Sequence, residues 1–359
     1  MNMSSFERGI IGMITLAIMV GVFVWVGRNP YRYYRIVFVT ACLTLVLIVM
    51  GAFVRLSDAG LGCPDWPGCY GNLTPAHSAE EIRAAESVQP GGPVSLAKAW
   101  KEMTHRYLAM FVGSLIAGIM FSAWRNRRSW RQSPLLPTLL AGAVIFQAAL
   151  GAWTVTMLLK PAIVTGHLLG GITILSLLLW ILQRQPASGK WADAIMANRA
   201  LGSFGIVALV VLLIQIMLGG WVSTNYAALA CGDLPACNGA WVPAMDFANA
   251  FHVIRPLGVG PGGELLTLDA LTAIHWTHRV GAMITFLVVG GFSGRLLSAE
   301  SGRKAARMLI ALLGLQILLG ISNVAFSLPL AIAVAHNGVA AMLFAFLLLI
   351  NLRMAKGRN

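Results

Sequence analysis

Four histidines, His105, His167, His278 and His336, each sit inside a long apolar run. An ionisable side chain in such a run marks a functional position by default. His105 and His278 stand in segments that share T-H-R, KEMTHR at 101–106 and IHWTHR at 274–279, and His167 and His336 stand singly in later runs. Two imidazoles facing each other across a helical core are suited to ligating haem iron. A small metal ion would want more ligands than two. The bland alternative, an imidazole that only bonds a backbone carbonyl, is weakened because the pattern occurs twice, two histidines in each half.

One difference between the two T-H-R segments bears on chemistry. Glu102 stands three residues before His105, whereas His275 stands three residues before His278. At i−3 the acid shares a helix face with its histidine and is placed to manage protons beside one site only. Alternatively, Glu102 is an acid near a helix N-terminus, paired with Arg106 at i+4. Arg106 and Arg279 follow the two histidines directly; each guanidinium suits a haem propionate, or serves as a positive anchor at the membrane interface. E-x-x-H is also half of a di-iron carboxylate site, but no other Asp or Glu lies inside an apolar run to complete one.

These residues need elements to position them, and composition says which. Of 359 residues, 58% are hydrophobic and 11% charged, with mean hydropathy +0.76. That excludes a soluble domain. Runs long enough to cross a bilayer as helix occur near 9–27, 36–54, 104–124, 135–157, 162–183, 201–222, 272–294, 307–327 and 329–352. The first lacks the basic flank and cleavage site of a secretory signal and reads as a retained helix. The net charge of +13 is no sign of nucleic acid here, because alternate connections and the C-terminus together hold 17 of the 26 Lys and Arg. By the positive-inside rule those connections and the C-terminus face the cytoplasm. The opposite segments hold 11 of the 13 Asp and Glu and four of the five cysteines. No import presequence is visible, so a bacterial plasma (inner) membrane is expected, with the cysteine loops on its outer, periplasmic face.

The cysteines occur as C-x5-C pairs, Cys63 with Cys69 and Cys231 with Cys237. In an oxidising compartment a structural disulfide is the first reading and a redox-active pair the second. Cys42, inside a run, reads as a small buried apolar residue. Trp66, Trp153, Trp221, Trp241 and Trp276 read as an interfacial belt. His77 and His252 read as solvated loop residues.

The chain is doubled. GAFVRLSDAGLGCPDWPGCYG (51–71) matches GGWVSTNYAALACGDLPACNG (219–239) at nine of 21 positions, and Gln147, Gly151 and His167 recur as Gln316, Gly320 and His336. Each copy has an even number of spans, which gives parallel repeats. The expected fold is an all-α polytopic membrane protein of two four-helix bundles, eight core helices, with one extra N-terminal transmembrane helix. The expected parts are 1–35 (extra helix and cytoplasmic linker), 36–183 and 201–352 (the bundles), 184–200 (cytoplasmic linker) and 353–359 (tail). Loops 55–101 and 223–271 are long, Gly- and Pro-rich, and read as caps over the bundles.

GLGCPDWPGCYG, E-M-T-H-R, the histidine of TGHLLGG, the second cysteine pair, and the second T-H-R with its AHNG histidine together resemble the heme A synthase family. The resemblance spans about 36–352. It implies an oxidoreductase that oxidises the C8 methyl group of heme O by two successive O2-dependent hydroxylations, giving the formyl group of heme A for cytochrome c oxidase biogenesis. It further implies that His105 and His167 flank the substrate haem with Glu102 at the reaction centre, and that His278 and His336 ligate a haem b that passes electrons inward. Heme O synthase, an electron donor, O2 or water, and oxidase assembly factors are the implied partners. From the residues alone, a diheme electron-transfer cytochrome also fits the four histidines but gives Glu102 no task. A transporter built from parallel repeats would use them as proton relays.

Overall fold

The computed structural model describes residues 5–185, 199–260 and 263–356. Within them the chain is helical, with no strand beyond isolated bridges. The helices are α1 (Ser5–Val26), α2 (Pro30–Leu56), α3 (Ala79–Val88), α4 (Leu96–Asn126), α5 (Leu135–Thr156), α6 (Pro161–Gln183), α7 (Arg199–Thr224), α8 (Phe247–Ala250), α9 (Leu268–Leu297), α10 (Arg303–Ala325) and α11 (Leu330–Lys356). Among the described residues nine are long and apolar enough to cross a membrane, all but α3 and α8. The protein is therefore a multi-pass membrane protein. Most of the 184–200 linker and the end of the 353–359 tail lie outside the described residues.

Capping chemistry starts several spans before their apolar cores. The Asn29 side chain accepts from the Tyr31 and Arg32 N–H groups at 2.9 and 3.3 Å, and Pro30 opens α2 at a position where its missing N–H costs nothing. Ser95 accepts from the Lys98 N–H at 3.3 Å, so α4 begins at Leu96, well ahead of the apolar run expected from 104. This early start makes Glu102 and His105 residues of the second and third turns, on a rigid element.

Contacts divide the chain into two compact units, and the division falls inside α6. Residues up to Leu159 and from Gly170 to Ser188 form the first unit; Lys160–Leu169 and the remainder form the second. The extra helix α1 belongs to the first unit and packs along α4. Their approach is close: a Cβ on Gly118 would lie 2.7 Å from Val22 Cβ. Helix α4 also packs on α2 and α5, and the later part of α6 meets Gln147 of α5 and Ile48 of α2 at Gly170 and Gly171. In the second unit α7 packs on α9, α9 on α10, α10 on α11 and α11 on α7, a closed ring of four.

The repeat is visible in the backbone. Left-handed residues at Asp58, Tyr70, Leu158 and Leu159 (φ 48°, 51°, 52° and 57°) recur at Tyr226, Asn238, Ser327 and Leu328 (φ 55°, 54°, 56° and 64°). Such a conformation costs a non-glycine residue about 1–2 kcal/mol, so its recurrence, at three of the four pairs with different side chains, means the turns are imposed by the fold. Two residues depart from expectation. Cys42 is exposed rather than buried; on a membrane helix the lipid-facing surface is as apolar as the interior, so composition does not separate the two. Trp221 is buried, not interfacial: its Nε1 donates to Ala250 O at 2.9 Å within a cluster that includes Ile274 and Ala273.

Candidate functional site

In each unit the cysteine pair closes a short loop that is clamped onto the helix bearing the T-H-R segment. Cys63 and Cys69 are bonded at 2.08 Å, and Cys231 and Cys237 at 1.95 Å. Asp65 Oδ1 and Oδ2 accept from the Tyr70 and Gly71 N–H groups, and Asp233 accepts in the same way from Asn238 and Gly239. A bridge between Cys69 and Asn72 closes the first loop; Cys237 and Ala240 repeat it. The acidic side chains of both loops thus serve the turn.

The arginines hold the loops by main-chain carbonyls. Arg106 Nη1 donates to Asp65 O at 2.8 Å, Gly68 O at 2.6 Å and Pro67 O at 3.4 Å. Arg279 Nη1 donates to Asp233 O and Ala236 O, both at 2.8 Å, and its Nη2 to Cys231 O at 2.7 Å. Loop carbonyls take this role because a planar guanidinium presents several donors in fixed geometry.

Glu102 and His275 have the same partner in the two loops. Glu102 Oε2 accepts from the Cys63 N–H at 2.9 Å, and His275 Nδ1 accepts from the Cys231 N–H at 3.2 Å. Both side chains are buried, Glu102 being 4% exposed and His275 5%. The difference lies in the second contact: Glu102 Oε1 pairs with Arg106 Nη2 at 2.5 Å, while Arg279 gives its Nη2 to the loop instead. The i+4 ion pair read from the sequence is present, and the first unit alone holds a buried carboxylate next to its candidate histidine. Neither partner, the Cys63 amide nor the carbonyls under Arg106, was named by sequence reasoning; matching offsets between the halves were the signal that both loops would be held alike.

Three of the four histidines, His105, His278 and His336, occupy glycine-cleared places. A Cβ on Gly51 of α2 would lie 3.2 Å from His105 Cε1, one on Gly219 of α7 3.0 Å from His278 Cε1, and one on Gly320 of α10 3.2 Å from His336 Cε1. A side chain at any of them would displace an imidazole. In the second unit His278 stands on α9 and His336 on α11. Gln215 Nε2 meets His278 Nδ1 at 3.0 Å, and Gln316 Nε2 meets His336 Nε2 at 3.2 Å. His336 Nδ1 and the amide oxygens of both glutamines are buried without a hydrogen-bond partner among the described residues. A buried imidazole nitrogen with an open lone pair, glycines against the rings and an amide fixing each ring's other side are the features a two-imidazole haem site needs; the residues fit that group. His167 lies in α6 within the segment that groups with the second unit.

Among the described residues no three His, Cys, Asp or Glu side chains gather as a site for a bare metal ion. His77 is a loop residue whose Nδ1 meets Thr74 Oγ1 at 3.3 Å, and His252 offers its carbonyl to Arg255 Nε at 3.2 Å.

Residues 34–348 match the profile of the cytochrome oxidase assembly protein family. The chain is 45% identical to heme A synthase of Shewanella oneidensis over 316 residues, covering 87% of this chain and 94% of that protein. It is 27% identical to heme A synthase of Rhizorhabdus wittichii over 335 residues, covering 86% and 90% of the two chains, and 27% identical to that of Halalkalibacterium halodurans over 239 residues, covering 66% and 72%. A helical membrane scaffold with a repeated sequence, four histidines in its apolar helices and, among the described residues, a single buried carboxylate thus coincide with near full-length similarity, and the chain belongs to the heme A synthase family.

Proposed function

We propose that this protein converts heme O to heme A for cytochrome oxidase biogenesis, and that the first half carries the reaction. The observation that supports this most directly is the exchange of one residue in an otherwise repeated clamp. Glu102 and His275 both accept a cysteine N–H, and only Glu102 brings a carboxylate. Symmetry explains the shared hydrogen bond, so the acid's presence in one half calls for a chemical reason, and oxidation of the substrate's methyl group supplies one.

The histidines divide by repeat equivalence. His278 and His336 are assigned as axial ligands of a resident haem b, whose contribution when bound is electron transfer to the reacting half. His105 and His167 carry the equivalent role toward the substrate. Glu102, held by Arg106 and the Cys63 N–H, keeps its carboxylate at a fixed place, where it holds or moves a proton near His105. Arg106 and Arg279 hold the loops, and their positive charge at the same level of the helices suits haem propionates. The fully buried sulfurs of Cys63 and Cys69 favour a structural disulfide over an exchanging one. Heme O synthase as supplier, an electron donor, the bacterial inner membrane, and cysteine loops on its periplasmic face complete this reading.

The experiment is extraction of noncovalent haems from the purified protein, separated by chromatography and identified by mass, comparing wild type with Glu102→Ala. Haem b together with heme O or heme A in the wild type, with heme A lost and haem b kept in the variant, is the expected result. Haem b alone in both would point to an electron-transfer cytochrome instead, and the absence of haem would return the histidines to transport.

A further inference from the structure

We infer that α1, which precedes the residues shared with the family profile, is a latch for the disulfide loop of the reacting half, and that Glu7 is its positioning residue. This rests on the assignment of Glu102 to the reaction made above.

The latch closes on Leu73, four residues beyond Cys69. Glu7 Oε1 accepts from the Leu73 N–H at 2.8 Å, and on the other side of the same residue the Tyr107 hydroxyl donates to Leu73 O at 2.7 Å. Tyr107 is the neighbour of Arg106, so one residue of loop is gripped from α1 and from α4, directly beside the guanidinium that holds Asp65, Pro67 and Gly68. Between Leu73 and Cys69 the chain has almost no slack: the Cys69 and Asn72 main chains bond to each other at 2.9 and 3.1 Å, and Ser78 Oγ donates to Cys69 O at 2.7 Å. A pull at Leu73 is therefore felt at the disulfide, and through Cys63 N at Glu102.

The second unit shows what the loop does without such a helix. Trp241 occupies the place of Leu73, and its carbonyl accepts from Trp276 Nε1 of α9 at 2.9 Å. There the grip comes from the T-H-R helix, as Tyr107 provides it in the first unit. The carboxylate from a separate helix is what α1 adds, and it adds it in the half that contains Glu102. Helix α1 is anchored well enough to pull. At its far end Asn126 Nδ2 donates to Gly27 O at 2.8 Å, Trp130 Nε1 donates to Arg28 O at 3.2 Å, and the Arg125 guanidinium sits 4.7 Å above the Phe23 ring. Beside Phe23, Val22 fills the notch left by Gly118. Glu7 is thus held at a fixed height against the loop.

The burial of the sulfurs gives a readout that needs neither haem nor turnover. Cys63, Cys69 and Cys231 are fully buried and Cys237 is 2% exposed, so a water-soluble phosphine reduces either bond only when its loop opens. The two disulfides of one molecule then report on the two loops, each a reference for the other. The assay is timed phosphine treatment of the full-length protein in detergent, maleimide trapping of the freed thiols, and peptide mass analysis, for wild type, Glu7→Ala and Glu7→Gln. Glu7→Ala is expected to speed reduction of Cys63–Cys69 by about ten-fold, the factor carried by loss of one hydrogen bond to a charged group, and to leave Cys231–Cys237 unchanged. Glu7→Gln keeps an acceptor oxygen and is expected to restore most of the protection. Heme A yield, measured in parallel, should fall with Glu7→Ala and recover with Glu7→Gln. An unchanged Cys63–Cys69 rate, or equal acceleration of both bonds, overturns the latch. Faster Cys63–Cys69 reduction with undiminished heme A yield overturns the positioning role of Glu7 while leaving the assignment of Glu102 untouched.

Discussion

Replacing Glu102 with the residue that the second half uses separates its two tasks. In Glu102→Ala the Cys63 N–H, met at 2.9 Å in the wild type, loses its acceptor in a place where Glu102 was only 4% exposed. An unsatisfied buried donor costs about 1–3 kcal/mol. The same change removes the partner of Arg106, whose side chain is 12% exposed; breaking a buried pair costs about 3–5 kcal/mol. The two costs overlap, and Arg106 keeps its three loop carbonyls, so the lower end applies and a loss of about 3 kcal/mol is expected. Glu102→His should recover about 1–2 kcal/mol of that, because His275 shows that an imidazole at the matching place on α9 reaches the equivalent N–H at 3.2 Å with an arginine four residues on. Turnover should be absent in both variants. The assay is thermal unfolding of the detergent-purified proteins beside haem extraction. If Glu102→His is as unstable as Glu102→Ala, the shared hydrogen bond is not what the position contributes to folding. If Glu102→His still yields heme A, the carboxylate is not the reacting group.

Gly219→Ala should leave stability nearly unchanged, since about 1 kcal/mol of helix propensity offsets overpacking, but its Cβ would stand 3.0 Å from His278 Cε1. The expected result is a shifted haem absorption and electron paramagnetic resonance signal, with Gly314→Ala, where a Cβ meets nothing within 4 Å, as the silent control. Hydrogen bonds from the Gly239 and Asn238 N–H groups hold the Asp233 carboxyl below the usual aspartate value of 3.8. A depressed folded value means its contribution is complete above the unfolded value and fades as pH falls through the folded one. Phosphine reduction of Cys231–Cys237 should therefore accelerate below about pH 4, and Asp233→Asn should flatten that dependence.

The long-range plan of the molecule was legible because it is written in side chains. Repetition along the chain pointed to two loops of like geometry, apolar run lengths gave nine spans among the described residues, and C-x5-C gave two loops whose cysteines do pair. Glu102 with Arg106 was legible as an i+4 pair because both residues lie on one helix. What escaped was contact with main chain. The Cys63 N–H under Glu102 is 39 residues away, and the carbonyls under Arg106 are 38 to 41 residues away. Every residue carries those groups, so no letter marks the ones that are used. The same holds for Glu7, whose partner is the amide of Leu73. Inside-outside pattern failed for Cys42 and Trp221 for a different reason: a bilayer takes apolar side chains on either face, and a tryptophan near a helix end is as welcome under a loop as at the headgroups.

A grip on main chain also bears on how a duplicated protein diverges. Because each helix holds its loop by amides and carbonyls, the loop's own side chains were never part of the fastening, and Trp66, Tyr70 and Gly68 faced Leu234, Asn238 and Ala236 after duplication without loosening it. On the helix, the hydrogen bond to the loop asked only for an acceptor, a demand that a carboxylate and an imidazole nitrogen both meet. One copy was thereby at liberty to give up its acid while remaining folded, and the other to keep it. Inherited architecture and inherited chemistry were separable at a single codon, which is the condition under which twin domains become a pair of specialists.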